Sequence, residues 1–223
     1  MKFWRGAMAI MRKDVIAEFR SREIIISVLV FVLLVIVIFN FAFGSSQATM
    51  KVTGPGMLWV TFAFAGVLSL NRSFILEREQ NCIEGIMVAP ISRETIYAGK
   101  MLASLIFMLV VEVIALPIFA LLFNIDVLTF PIILITFVTT IGFVACGTLF
   151  SALAVKTKAR ELVLPILFLP VVVPLIISAV EATGLALTGK SWSDMAVWLQ
   201  IIGAFDVVFL VVSFWVFNFV IEE

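Results

Sequence analysis

The chain has 223 residues, of which 63% are hydrophobic and only 13% are charged, and its mean hydropathy is +1.23. A soluble domain is about 45–50% apolar and about 25% charged, so the composition excludes a soluble globular enzyme. The fifteen basic residues are balanced by fifteen acidic ones, so no excess of positive charge indicates nucleic-acid binding. Histidine is absent, which removes the commonest metal ligand and general base.

Residues 1–23 predict an amphipathic helix. Trp4, Met8, Met11, Val15 and Phe19 recur at intervals of three and four, which places them on one helical face. An apolar face beside basic residues is typical of a helix that lies in the membrane interface. The alternative is a basic flank that only orients the first membrane span.

Six runs of apolar residues are long enough to cross the hydrocarbon core, which takes roughly 20 helical residues. Their approximate bounds are 24–43, 55–76, 101–123, 131–155, 162–180 and 196–221. Long apolar runs of this kind favour an all-α integral membrane protein over a β-barrel, whose strands alternate in short segments. Little sequence remains outside the spans, so we predict a single transmembrane domain over residues 1–223.

The basic residues predict the orientation, because Lys and Arg collect in the cytoplasmic segments of membrane proteins. Thirteen of the fifteen lie before the first span, near the end of the second span (Arg72) or in the second and fourth connections. The other two, Lys51 and Lys190, lie in the first and fifth connections. Both termini are therefore expected to be cytoplasmic.

The second connection, residues 77–100, is the longest polar segment and the richest in charge. Ile83, Ile86 and Met87 are spaced as one face of a short helix, which Pro90 would end. Ser92 is then placed to cap the next helix. Such a helix either docks into a groove on a soluble partner or serves as a solvated connector, and the residue pattern alone does not separate these alternatives.

Two ionisable residues lie deep in the spans, Glu112 in the third and Asp206 in the sixth. A charge at membrane depth is costly, so such residues usually face the bundle interior and are candidates for function. They are expected to hydrogen-bond neighbouring helices, to line a pathway or gate, or to share a proton.

Prolines and small residues mark the fifth and fourth spans. Pro165, Pro170 and Pro174 predict a fifth span that is kinked or broken, since each proline removes a backbone donor. Gly142 and Cys146 in the fourth span permit close helix approach, either at a homodimer seam or in internal packing.

Residues 184–191 match the nucleotide-binding pattern G-x4-G-K-S, but a P-loop connects a strand to a helix in a soluble domain. This stretch lies between two spans on the predicted outer side, so we read it as a turn. We expect no catalytic, cofactor or metal site in the chain itself, and no cluster of side chains marks a membrane-embedded enzyme.

The order and spacing of several motifs resemble those of ABC-2-type permeases, and more narrowly of the CcmB family of cytochrome c maturation. The similarity covers nearly the whole chain. It is carried by residues 54–60, by residues 159–165 with Pro170 and Pro174 after them, and by the second connection. In that connection the matching residues are Glu77, Arg78, Glu79, Glu84, Gly85, Pro90, Ser92, Arg93 and Lys100.

The resemblance implies a permease with an ABC-2-type, type V-like fold in the bacterial inner membrane, lacking its own ATPase site. It implies a CcmA-like ATPase, CcmC- and CcmD-like membrane proteins, a CcmE-like haem chaperone and a homodimer of the permease as partners. ATP hydrolysis in the partner would drive haem export or release of the haem-loaded chaperone. Residues that would couple the permease to the ATPase are Glu77, Arg78, Glu79, Glu84, Pro90 and Arg93.

The resemblance also bears on haem and on the membrane interior. Haem is a possible substrate of the complex, but without histidine the chain lacks the usual axial ligand, so we favour a mechanical role over haem ligation. Glu112, Asp206, Pro165, Pro170 and Pro174 are expected to act in an intramembrane gate or in packing. The alternatives are an ABC-2-type permease for lipid, glycan or drug, and a proton-coupled carrier that uses Glu112 and Asp206.

Overall fold

A computed structural model describes residues 2–43, 47–79, 92–155 and 160–220. Seven helices make up this described part: α1 (Lys2–Ser21), α2 (Glu23–Phe43), α3 (Gln47–Glu79), α4 (Arg93–Phe123), α5 (Phe130–Val155), α6 (Arg160–Leu187) and α7 (Trp192–Val220). The helices α2 to α7 are each long and apolar enough to cross a membrane. The all-α, six-span prediction is therefore confirmed.

Several helices extend beyond the apolar runs that predict them. The α3 helix begins at Gln47 and contains Pro55, so it starts eight residues before the predicted span. The α4 helix begins at Arg93, because Tyr97 and Lys100 are buried against neighbouring helices instead of marking a boundary. Hydropathy locates the apolar centre of such helices but not their polar ends.

Of the two alternatives expected for the fifth span, kinked or broken, the α6 helix excludes the break. It runs continuously from Arg160 to Leu187 with Pro165, Pro170 and Pro174 inside it. A proline-rich helix needs other donors for the carbonyl groups that proline leaves unpaired. Those carbonyls lie four residues before each proline; the Ser178 hydroxyl donates instead to the carbonyl of Pro174 itself at 2.8 Å, the usual bond of a helical serine to the carbonyl one turn earlier.

The α5 helix lies at the centre of the bundle, where α3, α4, α6 and α7 all pack against it. Its glycines allow this approach. A Cβ atom at Gly147 would collide with Leu70 of α3, and one at Gly66 of α3 would collide with Phe143 of α5. The predicted small-residue stripe of the fourth span therefore serves internal packing.

Contacts between helix ends show which connections share an end of the bundle. At one end, Lys100 of α4 pairs with Asp14 of α1, and Ser151 of α5 donates to the Leu70 carbonyl of α3. At the other end, Asn40 of α2 donates to the Leu122 carbonyl of α4. The first end carries the segments that are rich in Lys and Arg, which supports the predicted cytoplasmic orientation of that end.

The α1 helix uses two adjacent faces. Ala7 and Ile10 are buried against α4, where the backbone approaches closely at Gly99. Trp4, Met8 and Phe19, from the predicted apolar face, remain exposed. This leaves an apolar surface beside the protein contact, as an interfacial helix requires.

An ion pair fixes the same contact. Lys100 Nζ lies 3.4 Å from Asp14 Oδ2, and the lysine side chain is only 3% exposed. Arg22, which has a left-handed backbone with φ of 57°, then separates α1 from α2. The interfacial helix is thus attached to the first turns of α4 as well as to the first span.

The tight approach at Gly99 predicts that Gly99→Ala will displace α1. The added Cβ would lie 2.7 Å from Ile10 Cβ and 2.9 Å from the Ala7 carbonyl oxygen. Because this oxygen belongs to the backbone, it can move away only if the α1 helix moves with it. In a background without Cys82 and Cys146, an Ile10→Cys thiol should react several-fold faster when Gly99→Ala is present. Gly203→Ala is the matched control, because nothing lies within 4 Å of its added Cβ. Equal labelling rates in both variants would contradict the α1 contact.

Candidate functional site

Glu112 is held between α4 and α5 in the interior of the bundle. Its side chain is buried, with 2% exposure, and Thr140 Oγ1 of α5 lies at hydrogen-bond distance, 2.6 Å, from Glu112 Oε1. The same hydroxyl lies 2.8 Å from the Thr136 carbonyl oxygen, one helical turn earlier. Glu112 Oε2 is buried without a hydrogen-bond partner in the described part of the chain. The arrangement joins two spans through a single threonine.

A small cavity of about 10 Å³ adjoins the Glu112 carboxyl, a volume close to the minimum for one water molecule. Glu112 and Thr140 are its polar lining. The remaining lining is apolar and comes from α3, α4, α5 and α6: Trp59, Phe62, Ala63, Met108, Phe143 and Ile176. The indole N–H of Trp59, which belongs to α3, donates to Thr183 Oγ1 of α6 at 3.0 Å, so a hydrogen bond joins these two helices.

Asp206 of α7 packs against α5 from another direction. The residue is 6% exposed, and its Oδ1 lies directly against Gly142 in the space that a Cβ would fill. Among the described residues this oxygen has no partner of ordinary hydrogen-bond geometry. The Asp206 carboxyl can therefore be buried at this position because residue 142 has no side chain.

The two carboxyls lie at a similar level but on opposite sides of α5. Thr140 and Gly142 are two residues apart, which is about 3 Å along a helix axis and about 200° around it. The body of α5 therefore separates Glu112 from Asp206. Direct sharing of one proton, which the sequence left open, does not fit this geometry.

The coupling residues predicted from the resemblance fall at the ends of α3 and α4. Glu77, Arg78 and Glu79 form the last turn of α3, and Arg93 begins α4. Glu84 and Pro90 lie outside the described residues. The last turn of α3 therefore lies just beyond Leu76, where the predicted second span ends.

Ser92 occupies the predicted N-cap position of α4, with Glu94 in the first turn. Its hydroxyl, however, makes no capping bond to the backbone. It pairs instead with the Thr95 hydroxyl at 2.7 Å, while the Ser92 carbonyl accepts from the Thr95 N–H at 2.9 Å. The position of the cap was predicted correctly and its side-chain bond was not.

Residues 184–191, which match the nucleotide-binding pattern, form the end of α6 and the turn before α7. Gly189 has a positive φ of 71°, and the Ser191 hydroxyl donates to Asp194 Oδ2 in the first turn of α7 at 2.8 Å. The Ser191 N–H donates to the same oxygen at 3.0 Å, so the Asp194 carboxylate accepts both hydrogens. These residues form a helix-to-helix turn, as predicted, and are not preceded by a strand.

Sequence reasoning missed the partners that hold the buried groups. Thr140, Thr183, Asp14 and Lys100 were not singled out as a contact set, although each makes an interhelical bond. A detectable signal was the run of buried hydroxyls in the fourth span at Thr136, Thr139 and Thr140. Such a run in a span indicates a face that contacts other protein and not lipid.

Comparison with known proteins identifies relatives over most of the chain. The family model described as "CcmB protein" matches residues 5–222. "Heme exporter protein B" of Bradyrhizobium diazoefficiens is 28% identical over 182 residues, which cover 81% of this chain and 82% of that protein. The Pseudomonas aeruginosa protein of the same name has the same identity and coverage. That of Rhodobacter capsulatus is 32% identical over 165 residues, or 71% and 76% of the two chains.

The contact between Asp206 and Gly142 predicts that Gly142→Ala will destabilise the bundle. The added methyl would collide with the Asp206 carboxylate and crowd Phe205, and overpacking of this kind costs about 1–3 kcal/mol. Gly203→Ala, on α7 with open space around it, should be neutral or gain about 0.4–1 kcal/mol. Thermal unfolding in detergent micelles checks both variants. A Gly142→Ala protein as stable as the Gly203→Ala protein would show that α5 and α7 are not packed in this way.

Proposed function

The chain belongs to the CcmB family, and on that premise we propose that it is the permease subunit of an ABC transporter complex for cytochrome c maturation. Its role is to couple ATP hydrolysis by a partner ATPase to haem export or to release of a haem-loaded chaperone. The observation that carries the proposal is the family match over residues 5–222, together with six helices long and apolar enough to cross a membrane.

The ends of α3 and α4 support docking of a soluble ATPase at one end of the bundle. The α3 helix ends at Glu79, and its last turn carries Glu77, Arg78 and Glu79. The α4 helix begins at Arg93 at the same end, where α1 is attached to it through Lys100. We therefore propose that the partner acts on the adjacent ends of these two helices.

The chemistry of the chain favours transmission of movement over ligation of haem iron. No histidine is present, so the remaining axial ligands are thiolate, thioether and phenolate. Tyr97 is fully buried and donates to the Ala145 carbonyl at 2.9 Å, and Cys146 is fully buried beside it in α5. Both side chains serve the interior packing of the bundle. The haem would then be held by CcmC-, CcmD- or CcmE-like partners.

Charge reversal at the end of α3 is expected to release the ATPase. Glu77→Lys, Arg78→Glu and Glu79→Lys should each weaken binding of the CcmA-like ATPase roughly tenfold in Kd, about 1.4 kcal/mol, because complementary charges set the register of docking. Co-purification from membranes, normalised to inserted permease, measures the effect. Lys51→Glu is the control, since Lys51 is exposed at the opposite end of α3. Wild-type retention of the ATPase by all three variants would contradict coupling at this segment.

Deletion of the gene in its own organism tests the substrate. We expect covalent haem in c-type cytochromes, detected by haem staining of membrane proteins, to be lost and then restored by the wild-type chain. Haem of b-type cytochromes should not change, because its insertion needs no covalent attachment. Normal c-type cytochromes in the deletion strain, together with co-purification of the ATPase with the wild-type chain, would instead favour an ABC-2-type permease for lipid, glycan or drug.

A further inference from the structure

The bonds around Glu112 require more hydrogens than Thr140 alone supplies. Thr140 Oγ1 lies 2.6 Å from Glu112 Oε1 and 2.8 Å from the Thr136 carbonyl oxygen, and both distances are those of hydrogen bonds. A threonine hydroxyl carries one hydrogen, so it donates to only one of these oxygens at full strength. A carbonyl oxygen and an ionised carboxylate are acceptors only. The second bond therefore needs a hydrogen from elsewhere.

A protonated carboxyl supplies that hydrogen. If Glu112 Oε1 carries a hydrogen and donates it to Thr140 Oγ1, the threonine is free to donate its own to the Thr136 carbonyl. Both short contacts then become full hydrogen bonds, with each hydroxyl donating once and Thr140 also accepting. The bond to the carbonyl four residues earlier is the usual one for a helical threonine.

The surroundings of the carboxyl point to the same state. The side chains that line the cavity from α3, α4, α5 and α6 include no cation and no carboxyl other than Glu112. Asp206, on α7, lies against the opposite side of α5. An ionised Glu112 would leave a charge in an apolar cavity with one hydrogen bond to Oε1 and none to Oε2. An unpaired charge in such a place costs far more than a neutral acid.

We propose that Glu112 is a proton-binding site within the membrane bundle, and that the proton is held in the chain Glu112 Oε1–H to Thr140 Oγ1–H to the Thr136 carbonyl. The ligand is a proton, and the site is complete only while α4 and α5 are packed together. Oε2 becomes the carbonyl oxygen of the acid. Glu112 also lines the adjoining cavity, whose volume of about 10 Å³ is close to the minimum for one water molecule.

Infrared spectroscopy of the purified full chain in lipid nanodiscs tests the proposal directly. At a pH at which exposed glutamates are ionised, the wild-type protein should show the C=O stretch of a protonated carboxyl. The band should shift when glutamate is labelled with carbon-13, and it should disappear in Glu112→Gln. Asp206→Asn is the matched control, since it removes a second buried carboxyl and should leave the labelled glutamate band in place.

Variants at Thr140 test the hydrogen-bond chain. Thr140→Val removes the acceptor of the acid, so the glutamate band should move to the position of a carboxyl that makes no hydrogen bond. Thr140→Ser keeps the hydroxyl and should leave the band unchanged. Absence of any label-sensitive band in the wild-type protein would overturn the proposal even if the Glu112→Gln protein failed to fold. A band that survives in a folded Glu112→Gln protein would overturn it as well.

Discussion

The bundle depends on the fact that hydrocarbon offers no hydrogen-bond partners, so a polar side chain within the spans is costly unless it bonds its own helix or a neighbouring one. Most of the hydrogen bonds between helices in the described part of the chain involve α5. Its Thr140 bonds Glu112 of α4, and its Ala145 carbonyl accepts from Tyr97 of α4 and, at 3.4 Å, from Ser213 of α7. A displacement of α5 would leave several buried donors and acceptors unpaired at once. This gives the central helix a single well-defined position.

Close approach to α5 is possible because its glycine positions are filled by side chains of its neighbours. Asp206 occupies the space beside Gly142, and Leu70 occupies the space beside Gly147. Without a hydrophobic effect between helices in lipid, close van der Waals contact and interhelical hydrogen bonds have to supply the association. Aromatic side chains add to this contact, as Phe143 of α5 packs edge-on against Phe168 of α6 with ring centroids 4.9 Å apart.

Hydropathy was sufficient to predict six helices, because apolar runs of roughly 20 residues have few other interpretations. It placed the start of α4 eight residues late, since Lys100 reads as a boundary in sequence but is neutralised by Asp14 from α1. The partner of Glu112 was not predictable, because residues 112 and 140 meet only through the packing of two helices. The same holds for Asp206, whose burial depends on an absent side chain at Gly142. A sequence therefore identifies costly buried groups more readily than the residues that accommodate them.

Glu112 lies on a helix that would carry movement from the proposed ATPase contact into the bundle. Under the proposed coupling, an ATPase would act on the ends of α3 and α4, and α4 continues without interruption from Arg93 to Glu112, a distance of about 29 Å along its axis. A helix of that length transmits tilt, and α1 moves with its first turns because Asp14 is bonded to Lys100. The α3 helix contacts α5 at Leu70 and Gly66. Both helices on which the ATPase would act, α3 and α4, therefore contact the same central helix. Packed interfaces rearrange between discrete positions instead of deforming smoothly. The Glu112–Thr140 bond, which joins α4 to α5 inside the bundle, is therefore one that such a rearrangement would have to break and re-form.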